Sequence, residues 1–466
     1  MSKNKYPSVS ARPAKRFFVE LLTRDIHVED AILDLLDNCV DGIIRSQPKK
    51  RGDMPYEGFW ANITVNHGSF EIKDNCGGIP WEEHDRAFRM GRPFSAPPKG
   101  KVATSVGVYG IGMKRAIFKM GVDAVVWTQN SKDNYLVPIS PDWINTEDLW
   151  ELDVFPATEK MIEDGTQITI KKLHKGISEQ FAAEGFANSL LDKIENHYAM
   201  ILRKGLIVTV NGIAAKPKPI EIRFAQESKS ETTIRPYIFK TTLNGVQIFL
   251  AVGLRDPIPG IEEVQLKSEY AGWTVICNDR VVLYCDKSAL TGWGTATIPQ
   301  YHTQFIAISG VVEFYGDPRK LPTTTTKRGL EYSSSLYLQV LERMREGMSI
   351  FTDFTNKWKT REKDASAIVS PVPSLSYPQL RAEAEKLKYS KTRVGIEGEF
   401  YKPKLPLPLN NPTDIRISYV QDKKNVLRLA EELLPEDFEN ESDREIARKV
   451  GESSFDFAYK KLVDKK

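Results

Sequence analysis

Three polar residues of one predicted helix have the types and the spacing needed for metal and water chemistry. Asp34, Asn38 and Asp41 are four and three residues apart, so at about 3.6 residues per turn they share one helix face. The Asn38 amide oxygen can bind Mg²⁺, and the Asp34 carboxylate can accept a proton from an attacking water. A solvated helix face has the same pattern and is more common. The spacing alone leaves both interpretations open.

A second set of residues could recognise the base of a nucleotide. Asp74 ends a predicted strand and is followed by Gly77 and Gly78, so an acceptor for an adenine amino group lies beside backbone that a flat ring can approach. Thr166 opens another predicted strand, where its hydroxyl could bind adenine or a bridging water. Asp-Asn-Gly turns and strand threonines are both common without any ligand. These residues therefore gain meaning only from the segments around them.

A glycine-rich segment before a predicted helix could hold phosphates. Gly107, Gly110 and Gly112 precede that helix, where exposed backbone N–H groups and the helix dipole favour an anion. Lys114 and Arg115 add positive charge. No GK[ST] sequence follows, so this is not a Walker loop, and the long segment before it is unlike a Rossmann fingerprint. Taken alone, the segment is weak support for a phosphate site.

The elements that position these residues alternate between helices and strands. Apolar residues at helical spacing predict a helix over 28–43, and a second helix follows the glycines over 112–120. Strands are predicted near 61–65, 70–73, 123–128, 134–138 and 166–172. Residues 91–109 are rich in Gly, Pro, Ser and Lys and predict a mobile lid. A long helix over 177–204 could link this domain to the next.

The order of these motifs resembles the GHKL (Bergerat-fold) ATPase superfamily, which includes gyrase, heat-shock chaperones, sensor kinases, MutL and microrchidia proteins. The segments that carry the resemblance are AILDLLDNCVDGI (31–43), DNCGGI (74–79), GVYGIGMK (107–114) and DGTQITI (164–170). Together they cover about residues 28–172. The resemblance implies an N-terminal α/β sandwich that binds ATP and Mg²⁺ and hydrolyses the nucleotide.

The resemblance also implies roles for individual residues. Asp34 occupies the position of the general base, and Asn38 that of the magnesium ligand. The implied nucleotide-binding residues are Asn38, Asp41, Asp74, Gly78, Gly107, Gly110, Ile111, Gly112, Met113, Lys114 and Thr166. The sequence departs from the family twice, because the base is usually a glutamate and because Cys76 replaces the first glycine of the DxGxG motif. The shorter Asp34 side chain implies slow turnover, or a protein that chiefly binds ATP as a switch.

The sequence beyond residue 204 carries a further resemblance. GWTVICNDRVVL (272–283) resembles a strand-turn-strand of the transducer domain in MutL and microrchidia proteins. LPTTTTKRGLEY (321–332) resembles the loop that sends a lysine to the γ-phosphate. This implies a catalytic role for Lys327, whose cation would stabilise transition-state charge. A basic surface loop is the alternative.

The sequence as a whole predicts an α+β protein: an N-terminal α/β sandwich of GHKL ATPase type, a transducer-like α+β domain and a mainly helical C-terminal region. The predicted divisions are an arm (1–27), the ATPase domain (28–175), the transducer-like domain with linking helices (176–360), a linker and spacer (361–413) and a strand-helix-helix module (414–466). Phe17 and Phe18 could anchor the arm on a partner protomer or on its own domain. The C-terminal module has the element order of a ribbon-helix-helix DNA module, but its apolar residues fit dimer or core packing better.

Composition limits the classes of protein to consider. The 466 residues carry a formal net charge of +3, which neither proves nor excludes a nucleic-acid partner. Four cysteines without CxxC spacing fit reduced thiols better than a zinc or disulfide framework. Neither an apolar signal core nor a run of about 20 apolar residues is present, so we expect a cytoplasmic protein without a membrane partner.

These features predict a slow ATPase that acts as an ATP-dependent homodimeric switch or clamp. DNA is one candidate partner, as for MutL or microrchidia proteins. The other candidate is a protein, as for a chaperone-like or signalling switch. The resemblance also implies genome or antiviral defence as one use. A sensor histidine kinase is disfavoured because only a short arm precedes the ATP domain, and a topoisomerase because no catalytic tyrosine domain is evident.

Overall fold

The chain folds into two units, the larger of which is of mixed α+β character. The computed structural model describes residues 14–47, 52–91, 110–226, 232–256, 268–324, 329–359, 361–408, 420–434, 438 and 442–463. Its contacts divide the chain into Met1–Pro408 and Leu409–Lys466. The predicted α+β class is confirmed. Across the described ranges, no helix has both the length and the apolar content needed to cross a membrane.

The first sheet is the framework of the N-terminal domain. Its strands are β1 (Trp60–Asn66), β2 (Ser69–Asp74), β3 (Ala124–Gln129), β4 (Asn134–Ile139), β5 (Phe155–Pro156), β6 (Gly165–Ile170), β7 (Ile207–Val210) and β8 (Ile213–Ala214). Among the described residues they follow the order β5-β4-β3-β6-β2-β1-β7-β8, antiparallel except between β1 and β7. Alternate side chains of β2 are buried, which places Phe70, Ile72 and Asp74 on its covered face.

Two helices of this domain carry much of the predicted site. The helices here are α1 (Val28–Ser46), α2 (His84–Phe88), α3 (Gly112–Met120), α4 (Pro141–Asn145), α5 (Lys175–Ala182), α6 (Phe186–His197) and α7 (Ala199–Arg203). Helices α1 and α3 pack against each other and bury apolar side chains in the domain core. The predicted apolar stripe of α1 is confirmed, but Asp34 and Asp37 are buried as well. The helix is therefore not divided simply into an apolar and a solvated face.

The segment predicted as one long helix over 177–204 is three helices instead. Gly185 precedes α6 with a φ of 94°, a left-handed conformation that glycine adopts without a Cβ penalty. Tyr198 leaves helical geometry between α6 and α7. The second break places the buried Tyr198 hydroxyl 2.8 Å from the Leu33 carbonyl oxygen of α1. The apolar pattern predicted the helical content correctly and missed both breaks.

A second sheet is the framework of the rest of the larger unit. The strands beyond residue 220 are β9 (Glu221–Arg223), β10 (Tyr237–Leu243), β11 (Val246–Leu254), β12 (Gly272–Cys277), β13 (Arg280–Asp286), β14 (Ile308–Tyr315), β15 (Ser374–Ser376), β16 (Ser390–Lys391) and β17 (Glu399–Tyr401). In the described part of the chain, the sheet order is β13-β12-β14-β11-β10-β17-β16, and β9 pairs separately with β15. The predicted helix near 333–360 is confirmed as α8 (Ser335–Lys357), which packs on β10 and β11.

Much of the segment predicted as a linker and spacer (361–413) is folded into the larger unit. It forms α9 (Glu362–Val369) and α10 (Tyr377–Ala384) besides the short strands β15, β16 and β17. Strand β17 pairs with β10 at the edge of the second sheet. Leu375 and Leu380 are buried in an apolar cluster together with residues of neighbouring strands. The segment therefore contains enough apolar residues to pack against the larger unit, although its Pro- and Ser-rich composition is typical of a linker.

The smaller unit is helical where it is described. Helices α11 (Lys423–Leu433) and α12 (Asp443–Leu462) confirm the two helices predicted there. A small apolar cluster around Val450 joins them. The strand predicted in the C-terminal module, at 414–420, falls almost entirely outside the described residues.

The described part of the N-terminal arm docks on its own domain. It forms two short helical segments, Phe17–Leu21 and Leu22–Arg24. Lys15 is buried, and its ammonium donates to the Trp143 carbonyl at 2.6 Å and lies 4.0 Å from the centre of the Trp143 ring. Phe18 makes an edge-on contact with Trp150. Of the two alternatives for the arm, its described part takes the intramolecular one.

Candidate functional site

Asp74 lies at the end of β2 with its carboxylate held by backbone groups. Its Oδ1 accepts hydrogen bonds from the Cys76 N–H at 2.8 Å and the Thr166 N–H at 3.3 Å. Burial raises the pKa of Asp74, although these hydrogen bonds favour the charged form. Its Oδ2 accepts from the Cys39 thiol at 3.4 Å. The structure thus brings together Asp74 and Thr166, two of the residues predicted to hold adenine.

Glycines let three backbone segments meet around Asp74. A Cβ at Gly78 would lie 2.0 Å from the Gln129 carbonyl oxygen, and one at Gly165 would lie 1.8 Å from the Asp74 carbonyl oxygen. Gly77 and Gly78 also have φ values of 89° and 62°, which favour glycine. The sequence predicts that a flat ring approaches the backbone closely here. At Gly78, the group that approaches closely is the backbone of Gln129.

The Thr166 side chain belongs to a small polar cluster at the ends of β2, β3 and β6. Its hydroxyl lies 3.3 Å from that of Thr128 on β3. Thr128 is fully buried and accepts a hydrogen bond from the Ile79 N–H at 2.7 Å. Two hydroxyls therefore lie together beside the backbone N–H of Thr166 that binds the Asp74 carboxylate, and hydroxyls can both donate and accept hydrogen bonds.

Helix α1 presents its three predicted residues in different environments. Asp34 is 7% exposed and forms an ion pair with Arg115 of α3. Asn38 is exposed, and Asp41 is half-buried. The interpretation as a solvated helix face therefore fails for Asp34, whose carboxylate is held inside the domain by a guanidinium.

The start of α3 lies directly beside Asp34. A Cβ at Gly112 would come within 3.4 Å of the Asp34 Cβ, so the helix start packs closely on α1. Gly110, two residues earlier, has a φ of 70°. The first N–H groups of a helix have no partners within it, and its dipole adds positive potential there. Gly110, Ile111, Gly112 and Met113 therefore occupy a position suited to an anion.

Lys114 is turned back onto the backbone. It is 2% exposed, and its ammonium donates to the Ala87 carbonyl at 2.7 Å and to the Gly110 carbonyl. These bonds stabilise the conformation of the glycine segment. The contact predicted between Lys114 and a phosphate would have to share or replace them.

Two predicted parts of the site fall outside the described residues. Gly107 and residues 92–109 of the predicted lid are the first, and Lys327, with its neighbours in 325–328, is the second. Their roles stay predictions.

The second sheet reaches α1 through the turn between β12 and β13. Both residues of this turn have positive φ, 48° and 67°, as the tightest hairpin turns require. Arg280, which follows the turn, donates from Nε to Asp37 Oδ1 at 3.1 Å, and the Tyr198 hydroxyl donates to the same oxygen at 2.6 Å. Asp37 immediately precedes Asn38. The second domain therefore holds α1 at the residue beside the predicted magnesium ligand.

Both charged partners of this contact are buried. Asp37 is 2% exposed and Arg280 is 4% exposed. The Arg280 guanidinium further lies 4.3 Å from the centre of the Tyr198 ring. Asp37 is therefore held in the interior by a guanidinium and a phenol, as part of the contact between the second sheet and α1.

Two of the predicted motifs therefore meet α1. This helix contacts Asp74 through Cys39 and the start of α3 through Asp34. Residues 26–173 match the family model described as Histidine kinase-, DNA gyrase B-, and HSP90-like ATPase. The match to this ATPase family supports the predicted GHKL superfamily and ATP binding by the N-terminal domain. It does not extend to the second sheet, and a comparison with curated proteins found no match.

The residues at the junction of α1 and α3 fit the magnesium nucleotide that this ATPase family implies. The exposed Asn38 amide offers an oxygen of the kind that Mg²⁺ accepts, so Asn38 would hold the ion. Among the described residues, the buried Arg115 Nε has no hydrogen-bond partner. Since buried guanidinium donors are normally satisfied, a phosphate oxygen is a suitable acceptor for it.

Three side chains of this region were missed by sequence reasoning. Thr128 left a signal, because it is a polar residue at an inward position of an alternating strand. Arg115 was noted only as added charge, and its partner Asp34 lies on another helix. Arg280 left no local signal, since its partner is 243 positions away.

Proposed function

We propose that this chain is a slow Mg-ATPase that acts as an ATP-gated homodimeric switch or clamp, with DNA as its first candidate partner. The observation that carries the proposal is that α1 contacts Asp74 at one end of the site and places Asp34 against the start of α3 at the other. The family match at 26–173 supports ATP binding. Closer kinship to MutL and microrchidia proteins is part of the proposal and rests on the motifs of the second domain.

In the proposed reaction, the chain positions the nucleotide and one water. Asp74 accepts a hydrogen bond from the adenine amino group, and the N–H groups at the start of α3 bind phosphate oxygens. Asn38 would hold Mg²⁺, and the ion would supply neutralisation of phosphate charge. Asp34 accepts a proton from the attacking water, while Arg115 fixes the direction of its carboxylate.

Two features of Asp34 support slow turnover. The side chain is one methylene shorter than the glutamate usual in the family, so it reaches less far toward a water. It is also paired with Arg115, so turning the carboxylate toward a water would have to share or break that contact. Both features slow proton transfer without removing a nucleotide contact. A protein that retains ATP suits a switch better than a rapid hydrolase.

The homodimer is proposed from the resemblance, and the arm limits how it forms. Lys15 and Phe18 dock on their own domain, so an arm that crosses to a partner would use residues before position 14 or would release Lys15 from its carbonyl partner. Phe17 is 44% exposed and therefore able to face a partner.

Nucleotide binding is tested with Asn38→Ala. Titration calorimetry with Mg-ATP should show binding to the native chain and none to N38A, because the variant lacks the proposed magnesium ligand. Asn145→Ala, at an exposed asparagine that ends α4, is the matched control and should bind normally. Full affinity in N38A would contradict the magnesium assignment. Absence of binding to the native chain would contradict the proposed function itself.

The partner is tested by gel filtration and DNA retention, each with and without a non-hydrolysable ATP analogue and at two salt concentrations. A clamp on DNA should dimerise with the analogue and retain DNA in a manner that weakens as salt rises. Analogue-dependent dimerisation without DNA retention supports the alternative, a chaperone-like or signalling switch that acts on a protein. A chain that remains monomeric with the analogue contradicts ATP gating.

A further inference from the structure

Two cysteine thiols converge on the proposed adenine-binding carboxylate. Cys39 lies on α1, and Cys76 lies in the loop that follows β2. The ligand atoms of Cys39, Asp74 and Cys76 all lie within 4.8 Å of one another, and Cys39 Sγ is 3.4 Å from Asp74 Oδ2. All three residues are buried. Within the described ranges, this is the group of three such side chains that converges closely enough to share an ion.

The backbone holds these groups together independently of any ligand. Helix α1 passes over the loop at Gly42, where a Cβ would lie 2.6 Å from the Cys76 carbonyl oxygen and 3.3 Å from the Cys76 Cβ. Gly42 is three residues after Cys39 and therefore on the same helix face. The hydrogen bond from the Cys76 N–H to Asp74 Oδ1 fixes the loop from the other side. The three ligand atoms are thus positioned by the fold rather than by flexible side chains.

The chemistry of this donor set differs from that of the magnesium site. Two sulfurs and one carboxylate oxygen are ligands typical of zinc, whereas Mg²⁺ prefers oxygen ligands alone. Asp74 Oδ1 already accepts two backbone N–H groups, which leaves Oδ2, the oxygen facing Cys39, for a metal. Ligation would release the thiol protons of Cys39 and Cys76 to solvent and leave a fourth position for water.

We propose that Cys39, Asp74 and Cys76 form a site for a thiophilic divalent cation, zinc above all, and that this cation and ATP exclude one another at Asp74. The metal site itself rests on the convergence of the three ligands. The exclusion rests on the proposed function, since it requires Asp74 to bind adenine. ATP binding should therefore weaken as the free zinc concentration rises, without any change at Asn38.

Metal binding is tested by titrating the reduced protein with Zn²⁺ alone, by calorimetry, and with Cd²⁺, whose bond to thiolate gives an ultraviolet charge-transfer band. The native chain should bind one ion and show the band. The double variant Cys39→Ala/Cys76→Gly should lose both signals, and Cys39→Ala alone should weaken them. The matched control is Cys277→Ala/Cys285→Ala, which removes the two buried cysteines of the second sheet and should bind like the native chain. Equal zinc binding by the native chain and the Cys39/Cys76 variant would overturn the site.

Exclusion is tested by measuring Mg-ATP affinity with and without zinc in each protein. With free zinc at about ten times its own Kd, exclusive binding weakens the apparent ATP affinity of the native chain by about tenfold. The same ratio should be near unity in the Cys39/Cys76 variant, which also corrects for zinc captured by ATP itself. Simultaneous binding of zinc and ATP would overturn the exclusion. Absence of ATP binding in zinc-free native protein would instead overturn the proposed function, while the zinc titration would still decide the metal site.

Discussion

Replacing Arg280 with methionine should weaken the contact between the second domain and α1 and lower the free energy of unfolding. Asp37 and Arg280 are 2% and 4% exposed, and the Arg280 Nε donates to Asp37 Oδ1 at 3.1 Å. Methionine retains much of the apolar length of the side chain and removes its cation, so Asp37 loses a buried counter-charge. Breaking such a pair by removing one partner costs about 3–5 kcal/mol of unfolding free energy.

Asp37→Asn tests the same contact from the other side. The double variant D37N/R280M removes both charges, so it should be less destabilised than the sum of the single variants by about 0.5–3 kcal/mol. Urea unfolding, followed by circular dichroism and by tryptophan fluorescence, measures these free energies. Coincident curves from the two probes justify treating the transition as two-state.

R280M should also weaken Mg-ATP binding, because Asp37 adjoins Asn38. A coupling of about 1.4 kcal/mol between the domain contact and the nucleotide corresponds to a tenfold loss of affinity. The matched control is Arg381→Met, which breaks the 2.7 Å pair between Arg381 and Glu313 away from α1. It should lower stability and leave nucleotide affinity unchanged. Equal effects of R280M and R381M on affinity would refute the reasoning that Arg280 positions α1.

Other changes have equally definite expected outcomes. Asp34→Ala should bind Mg-ATP but release no phosphate in a continuous phosphate assay, and continued hydrolysis would place the base elsewhere. Burial lowers the pKa of His197 from 6.5 to about 4. As the pH falls between these values, the His197 imidazole is therefore protonated in the unfolded chain before it is protonated in the folded one. Stability should therefore drop across that window by at most about 3.4 kcal/mol, and His197→Gln should remove this part of the pH dependence in urea unfolding. Gly78→Ala should destabilise the domain by on the order of 3 kcal/mol, because its Cβ would lie 2.0 Å from the Gln129 carbonyl oxygen at a φ of 62°. Gly176→Ala, whose Cβ would meet no described atom within 4 Å, should not destabilise the domain. A thermal-shift assay on both variants measures the difference.

Local patterns were sufficient to predict the elements that carry the candidate site. The helix predicted over 112–120 coincides with Gly112–Met120, and the apolar stripe predicted for α1 is buried. Both features depend on residues that are close in the chain, so their spacing appears directly in the sequence. The strand ends that carry Asp74 and Thr166 were predicted for the same reason.

Contacts between distant residues could not be predicted in this way. The pairs Asp34–Arg115 and Asp37–Arg280 join residues 81 and 243 positions apart, and periodicity contains no information about such partners. The break at Gly185 was missed because apolar residues continue at helical spacing on both sides of it. Residues 361–408 were predicted as a linker because composition does not show that β17 pairs with β10, a strand far earlier in the chain.

The adjacency of Asp37 and Asn38 makes α1 the element on which both domains act. Under the proposed function, Mg-ATP binds through Asn38, while the second domain binds Asp37 through Arg280. Consecutive residues of a hydrogen-bonded helix move together, so a shift of α1 on nucleotide binding must either strain or reset the Arg280 contact. No relay of side chains between distant sites is needed. The coupling free energy that this contact can supply is at most the cost of breaking it, about 3–5 kcal/mol. That bound exceeds the coupling of about 1–3 kcal/mol typical of allosteric sites. A single buried ion pair is therefore strong enough to connect the nucleotide site with the second domain.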